Sequence, residues 1–293
     1  MSRSGFELVV DAKAVIGESP LWCVNQGALY WIDVKAPALY CTDVVNLETT
    51  SWQLPSDVGG YALTSSAGGA FLGLRTGIFT LDFATSELLK ICDAPFNPLT
   101  HRFNEGDRDP WGRLWLGTMF DPMAQAVSPP ISANLYSFAS DTGLVAHDNL
   151  SLLHNGFAWN RSGSEFLLAH SRDRRIYAFE FNVERGELGR KRVFAEIPKG
   201  LGVPDGGAFD EHGFYWSAIH GGGCLYRYAP DGRLDLVLEL PVQNPTMMAF
   251  GGPDLRDLYI TSATHGKPGK PHEGAIFRVR LDVAGLARPI CVR

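Results

Sequence analysis

The sequence predicts an all-β fold, a six-bladed β-propeller with four-stranded antiparallel blades, spanning residues 1–293 as a single domain. Three observations predict it: a strand-like segment that recurs at intervals of about fifty residues, a second aromatic-bearing strand after each copy, and no helical apolar pattern of useful length in competition. The recurring segment reads Ala28-Leu29-Tyr30-Trp31, Ala70-Phe71-Leu72-Gly73, Arg113-Leu114-Trp115-Leu116, Glu165-Phe166-Leu167-Leu168, Phe214-Tyr215-Trp216-Ser217 and Asp257-Leu258-Tyr259-Ile260. Six copies predict six blades.

Each copy is followed by a pair that continues the period-two pattern of a strand: Leu39-Tyr40, Ile78-Phe79, Leu135-Tyr136, Ile176-Tyr177, Leu225-Tyr226 and Ile276-Phe277. Tight-turn chemistry punctuates the units at Asp109-Pro110-Trp111-Gly112, Asn160-Arg161-Ser162-Gly163, Asp210-Glu211-His212-Gly213 and Pro230-Asp231-Gly232. A more variable third element precedes each new unit, at Ser51–Leu54, Leu88–Ile91, Leu144–His147, Arg192–Ala195 and Leu236–Glu239, and reads as the outer strands. Phe6–Val10 and Arg288–Val292 are two further strand candidates, so the chain ends are expected to close the ring, with the closing strand left open.

Hydrophobic residues make up 45% of the chain and charged residues 20%, a globular balance. No apolar run reaches the length of a membrane span, and the first residues lack a signal-peptide core, so a soluble, cytoplasmic protein is expected. The five cysteines, Cys23, Cys41, Cys92, Cys224 and Cys291, follow no metal-site spacing and are expected to be reduced. A net charge of −6 without a basic run argues against nucleic acid, leaving small molecules as partners.

Polar residues break the repeat at the start of each innermost strand. Glu18-Ser19-Pro20-Leu21-Trp22, Asn155-Gly156-Phe157-Ala158-Trp159 and Asp205-Gly206-Gly207-Ala208-Phe209 each place an oxygen-bearing side chain four positions before an aromatic residue. Asn104 holds the same register, ten or eleven positions before its unit's recurring strand. Equivalent positions of a propeller converge on one axis, so these four residues are expected to meet; the competing reading is that they cap turns. Two carboxylates and one or two amide carbonyls suit one divalent cation, Ca²⁺, Mg²⁺ or Mn²⁺, and tolerate Zn²⁺.

Several of these segments resemble the gluconolactonase/regucalcin-like (senescence marker protein) family of propeller lactonases: Gly17-Glu18-Ser19-Pro20-Leu21-Trp22, Arg102-Phe103-Asn104-Glu105-Gly106, Gly112–Met119, Asn155-Gly156 and Val203-Pro204-Asp205-Gly206. The resemblance covers nearly the whole chain. It implies a metal-dependent hydrolase of a small sugar lactone, with Glu18, Asn155 and Asp205 as ligands to one divalent ion (Fe²⁺ joining the ions above) and Arg102 and Asn104 on the substrate. Asp205 is also implied as general base. The chain departs from the family at Glu105, where Asp is usual, and at His170, where Asp is frequent; a lid acid finds no clean match, Asp121 standing displaced beside Pro122.

No Gly-x-Ser-x-Gly elbow or phosphate-binding glycine loop is present. His101, His154, His170, His220 and His265 fall beside the site positions, each read first as a hydrogen-bonded structural or loop residue. Lys267 and the group Arg172, Arg174 and Arg175 are candidates to meet an anionic substrate group. Two other functions fit the same residues: a propeller hydrolase of another ester or an organophosphate, and a non-enzymatic Ca²⁺-binding propeller.

Overall fold

The structure, a computed structural model, describes residues 5–65, 67–124, 129–267 and 269–287. Among the described residues, twenty-four strands form six four-stranded antiparallel sheets, and the only helical element is one 3-10 turn at Ser171–Asp173. Five blades are meanders of consecutive strands. Their first, innermost strands are Gly17–Cys23, Val58–Leu63, His101–Arg108, His154–Trp159 and Val203–Phe209, and that of the sixth blade is Pro245–Gly251.

Burial falls from the axis outward. Gly17–Cys23, His154–Trp159 and Pro245–Gly251 are buried along their whole length, whereas the outer strands Thr49–Gln53 and Leu234–Glu239 are largely exposed. Inner strands of neighbouring blades pack against each other, leaving no room for side chains at some points. A Cβ on Gly59 would lie 2.2 Å from the Phe103 carbonyl carbon, so only glycine lets blades 2 and 3 approach this closely.

The core sits between blades. Leu21, Tyr30 and Ile32 of blade 1 meet Tyr61, Leu63 and Leu72 of blade 2; Trp115 and Leu135 of blade 3 meet Phe157, Trp159 and Phe166 of blade 4. Each such side chain contributes about 1.5–3 kcal/mol by burial, so the ring is stabilised mainly by faces that only the closed toroid covers. The predicted turns act as staples: Asp109 accepts the backbone N–H of Trp111, Gly112 and Arg113 and the indole N–H of Trp115 (2.9 Å). Asp210 repeats the device two units later in the chain, accepting His212 N–H, Phe214 N–H and the Trp216 indole (3.0 Å).

Glu7–Val10 closes the ring. It pairs antiparallel with Ile276–Arg280 as the outermost strand of blade 6, and Val9 packs in a cluster with Trp22, Trp31 and Tyr259 that joins blade 6 to blade 1. The alternative candidate, Arg288–Val292, lies outside the described residues. Cys23, Cys41, Cys92 and Cys224 are free thiols, and no helix of the described residues is long and apolar enough to cross a membrane.

Candidate active site

Every inner strand carries a break in its pairing register near its start, and the four singled-out positions sit on these breaks: Glu18/Leu21, Asn104/Gly106, Asn155/Ala158 and Pro204/Gly207. A bulge re-aims the side chain beside it. The residue following Glu18, Asn104 and Asn155 is left-handed in each case, Ser19 at φ 49°, Glu105 at φ 44° and Gly156 at φ 69°. Such backbone is uncommon for Ser and Glu and concentrates at functional sites. At Gly156 a Cβ would also come within 2.6 Å of Tyr215 Oη and 3.0 Å of the Asp205 carbonyl oxygen.

Blades 3 and 4 contribute one hydrogen-bonded chain. Asn104 Nδ2 donates to Asn155 Oδ1 (2.6 Å) and to the His154 carbonyl (2.9 Å), and Arg102 Nη1 donates to Asn104 Oδ1 (2.8 Å). Asn155 Nδ2 donates to Ser171 Oγ (2.9 Å), which turns its carboxamide oxygen toward Asn104. Arg102 is 3% exposed and its Nε donates to Asp121 Oδ2 (3.0 Å).

Glu18 and Asp205 are buried and feel each other's charge. Burial pushes the Glu18 carboxyl up to about 7, against the opposing pull of the Ser19 N–H and of Arg102. Asp205 is held well above the ordinary carboxylate range, by burial first and then by repulsion from Glu18 and Glu105. Buried like charges of this kind are what a cation neutralises. Among the described residues no three of His, Cys, Asp and Glu gather into a metal-holding group, so a cation here would take two carboxylates and the Asn155 carboxamide oxygen. That hard-oxygen set fits a divalent ion.

The histidines divide by partner. His154 is fully buried, donating from Nε2 to the Asn149 carbonyl (2.9 Å) and accepting the Thr118 N–H at Nδ1 (3.2 Å); burial lowers it to about 3. His170, lowered to about 4 by burial, donates to Asn149 Oδ1 (2.9 Å). His101 Nε2 donates to the Ile131 carbonyl (2.8 Å). These three hold backbone and neighbouring side chains. His220 also holds backbone, its Nδ1 donating to the Pro245 carbonyl (3.1 Å), but that nitrogen lies 3.5 Å from Asp205 Oδ2 as well, and Nε2 pairs with His265 Nε2 at 2.8 Å.

Two features were not readable as site residues from the repeat. Glu105, 2% exposed, accepts the N–H of Gly156 (Oε2, 2.8 Å) and of Phe157 (Oε1, 2.7 Å), gripping the bulge that presents Asn155. The extra methylene relative to Asp is accommodated by this cross-blade reach. Asp121, displaced in sequence, nevertheless reaches Arg102 and joins Lys35, Asp57 and Arg75 in one ion network. The signal that would have found it is spatial, since its members come from blades 1, 2 and 3.

Residues 16–264 match the family model described as the SMP-30/gluconolactonase/LRE-like region. Among curated proteins, the chain is 34% identical to a 6-deoxy-6-sulfogluconolactonase of Pseudomonas putida, covering 96% of this chain and 97% of the relative. It is 31% identical to a pentonolactonase of Haloferax volcanii, over 96% and 95% of the two chains. In shape it is similar to a regucalcin from Agrobacterium tumefaciens described as a calcium-binding protein, with TM-score 0.90 at 23% identity over 99% and 97% of the chains. On the family model and the extent of these relationships, the chain belongs to the SMP-30/gluconolactonase/LRE-like family.

Proposed function

We propose that the chain hydrolyses a small sugar lactone to the open-chain sugar acid, with one divalent cation held by Glu18, Asn155 and Asp205. The observation that carries the reading is the buried Glu18/Asp205 pair beside the Arg102–Asn104–Asn155 hydrogen-bonded chain. Full-length relatives named as lactonases support it. When bound, the cation supplies Lewis-acid polarisation of the lactone carbonyl.

The chain's own residues do the rest. Asp205 accepts a proton from the attacking water as the water oxygen bonds to the carbonyl carbon. The ring C–O bond then breaks, and the proton passes from Asp205 to the departing ring oxygen, which leaves as a hydroxyl. Arg102 and Asn104 hold the sugar hydroxyls; their fixed mutual hydrogen bond keeps both oriented before substrate arrives. The free Cys23, Cys41, Cys92 and Cys224 fit a reducing compartment, the cytoplasm.

The test is a panel of aldonolactones, with aryl esters and an organophosphate for comparison, offered to metal-stripped protein re-supplied with Zn²⁺, Mn²⁺, Mg²⁺, Ca²⁺ or Fe²⁺, alongside Asp205→Asn. The reading expects aldonolactone turnover that returns with metal and drops by at least about a hundredfold in the variant. Ca²⁺ binding without turnover of any lactone, or an unimpaired variant, overturns it.

A further inference from the structure

We propose that the ion network beside Arg102 is a subsite for an anionic group at the far end of the lactone, and that Lys35 is the residue that meets it. Asp121 Oδ2 alone accepts from Lys35 Nζ (2.6 Å), Arg75 Nη2 (2.5 Å) and Arg102 Nε (3.0 Å). Asp57 Oδ2 accepts from Lys35 Nζ (2.7 Å) and from Arg75 Nε (3.1 Å) and Nη2 (2.6 Å). Three cations therefore share two carboxylates. Arg75 and Arg102 already balance Asp57 and Asp121, so Lys35 is surplus to a clamp whose purpose is only to tie blades 1, 2 and 3 together.

The three cations differ in what else they do. Arg75 Nη1 donates to the carbonyls of Pro98 (3.0 Å), His101 (3.2 Å) and Asp121 (3.1 Å), and Arg102 is committed to the Phe103 carbonyl, Asn104 and Met119 Sδ. Both guanidinium side chains are under a tenth exposed, whereas the Lys35 side chain is 31% exposed and that of Asp121 24%. An ammonium has three donors, and two are used on Asp57 and Asp121. Its turn is fixed in advance: Asp33 Oδ1 accepts the N–H of Lys35 (3.1 Å) and Ala36 (3.1 Å), while the same carboxylate takes the N–H of Val15 (2.8 Å) and Ile16 (3.1 Å) at the entry to the strand bearing Glu18.

Position supplies the orientation. The hydrogen-bonded chain from Asn155 through Asn104 and Arg102 reaches Asp121 and then Lys35, so the surplus charge lies beyond the pair assigned to the hydroxyls. A lactone with its carbonyl at Glu18, Asn155 and Asp205 presents its last carbon toward Lys35; this orientation rests on the lactonase reading above. A sulfonate, phosphate or carboxylate there would meet the remaining donor of the part-buried Lys35 ammonium. The cations singled out in the sequence are less suited: Arg175 is bonded to Glu196, and Arg172 and Lys267 are exposed to solvent.

The experiment compares kcat/KM for aldonolactones ending in a sulfonate, a phosphate or a carboxylate with that for the neutral parent, in the wild type, Lys35→Met and Lys35→Arg, each checked for folding by thermal unfolding. The expected result is a wild-type preference for a charged terminus of about tenfold or more, carried by KM, eroded by salt, cut about tenfold in Lys35→Met and kept in Lys35→Arg. Absence of a preference in the wild type, or an equal loss on charged and neutral lactones in Lys35→Met, overturns the subsite. Calorimetric binding of a terminally sulfonated aldonate against the neutral aldonate separates the two readings. Preferential binding without any lactone turnover would sink the lactonase and leave the subsite; turnover of neutral lactones with no preference does the reverse.

Discussion

Glu18→Gln is expected to stabilise the metal-free protein at pH 8 and to leave it nearly unchanged near pH 4. Burial carries the Glu18 carboxyl from its ordinary 4.5 to about 7, so between those values the folded chain holds a proton that the unfolded chain has released. A carboxyl raised on folding stabilises fully below its unfolded value, and that contribution is lost as pH rises through the folded one. The interval corresponds to about 3 kcal/mol by pH 8. The amide keeps an oxygen for the Ser19 N–H, which the carboxylate accepts at 3.1 Å, and carries no charge to bury. Removing that charge also relieves Asp205, an effect of the same sign. For a chain of this size about 3 kcal/mol corresponds to roughly 6 °C in Tm. Thermal unfolding of both metal-free proteins from pH 4 to 8 measures the difference, and repeating it with saturating divalent cation should reverse the order, because the wild type then gains a ligand the variant lacks. Parallel Tm curves for the two metal-free proteins across that range, or a variant less stable at pH 8, would refute the electrostatic reasoning.

Two further outcomes follow from other contacts. Glu105→Gln should lower metal affinity by about 10–100-fold and cost about 1.5–3 kcal/mol of stability, since the Gly156 and Phe157 N–H groups use different carboxylate oxygens and the amide sets a donor NH2 against one of them; titration calorimetry showing wild-type affinity would remove its role in presenting Asn155. Val9→Asp should cost about 3 kcal/mol or more by placing a carboxylate in the seam of Trp22, Trp31 and Tyr259, read as a lower urea midpoint, and a midpoint equal to the wild type would show that the closing strand contributes little.

The blade number was legible because each blade repeats an aromatic-bearing strand, to which blades 3 and 5 add a turn aspartate, as in Asp109/Trp115 and Asp210/Trp216. The grouping of Asn104 with Asn155 was legible for the same reason, since register within a repeat becomes position around an axis. Glu105 was visible only as a departure from a family pattern, because its partners are backbone N–H groups of another blade, and backbone leaves no mark in side-chain spacing. His220 stood among five similar histidines until its approach to Asp205 distinguished it.

By itself the sequence determined what local periodicity can encode: six four-stranded blades, the placement of Glu18, Asn104, Asn155 and Asp205 on inner strands, and the family. Tertiary structure alone decided that Glu7–Val10 closes blade 6, that the left-handed residues Ser19, Glu105 and Gly156 follow the site side chains, and that Lys35, Asp57, Arg75, Arg102 and Asp121 share one network. The physical reason is that these depend on which groups of different blades come within hydrogen-bonding distance once the ring has closed, and no periodic pattern along one chain records that distance.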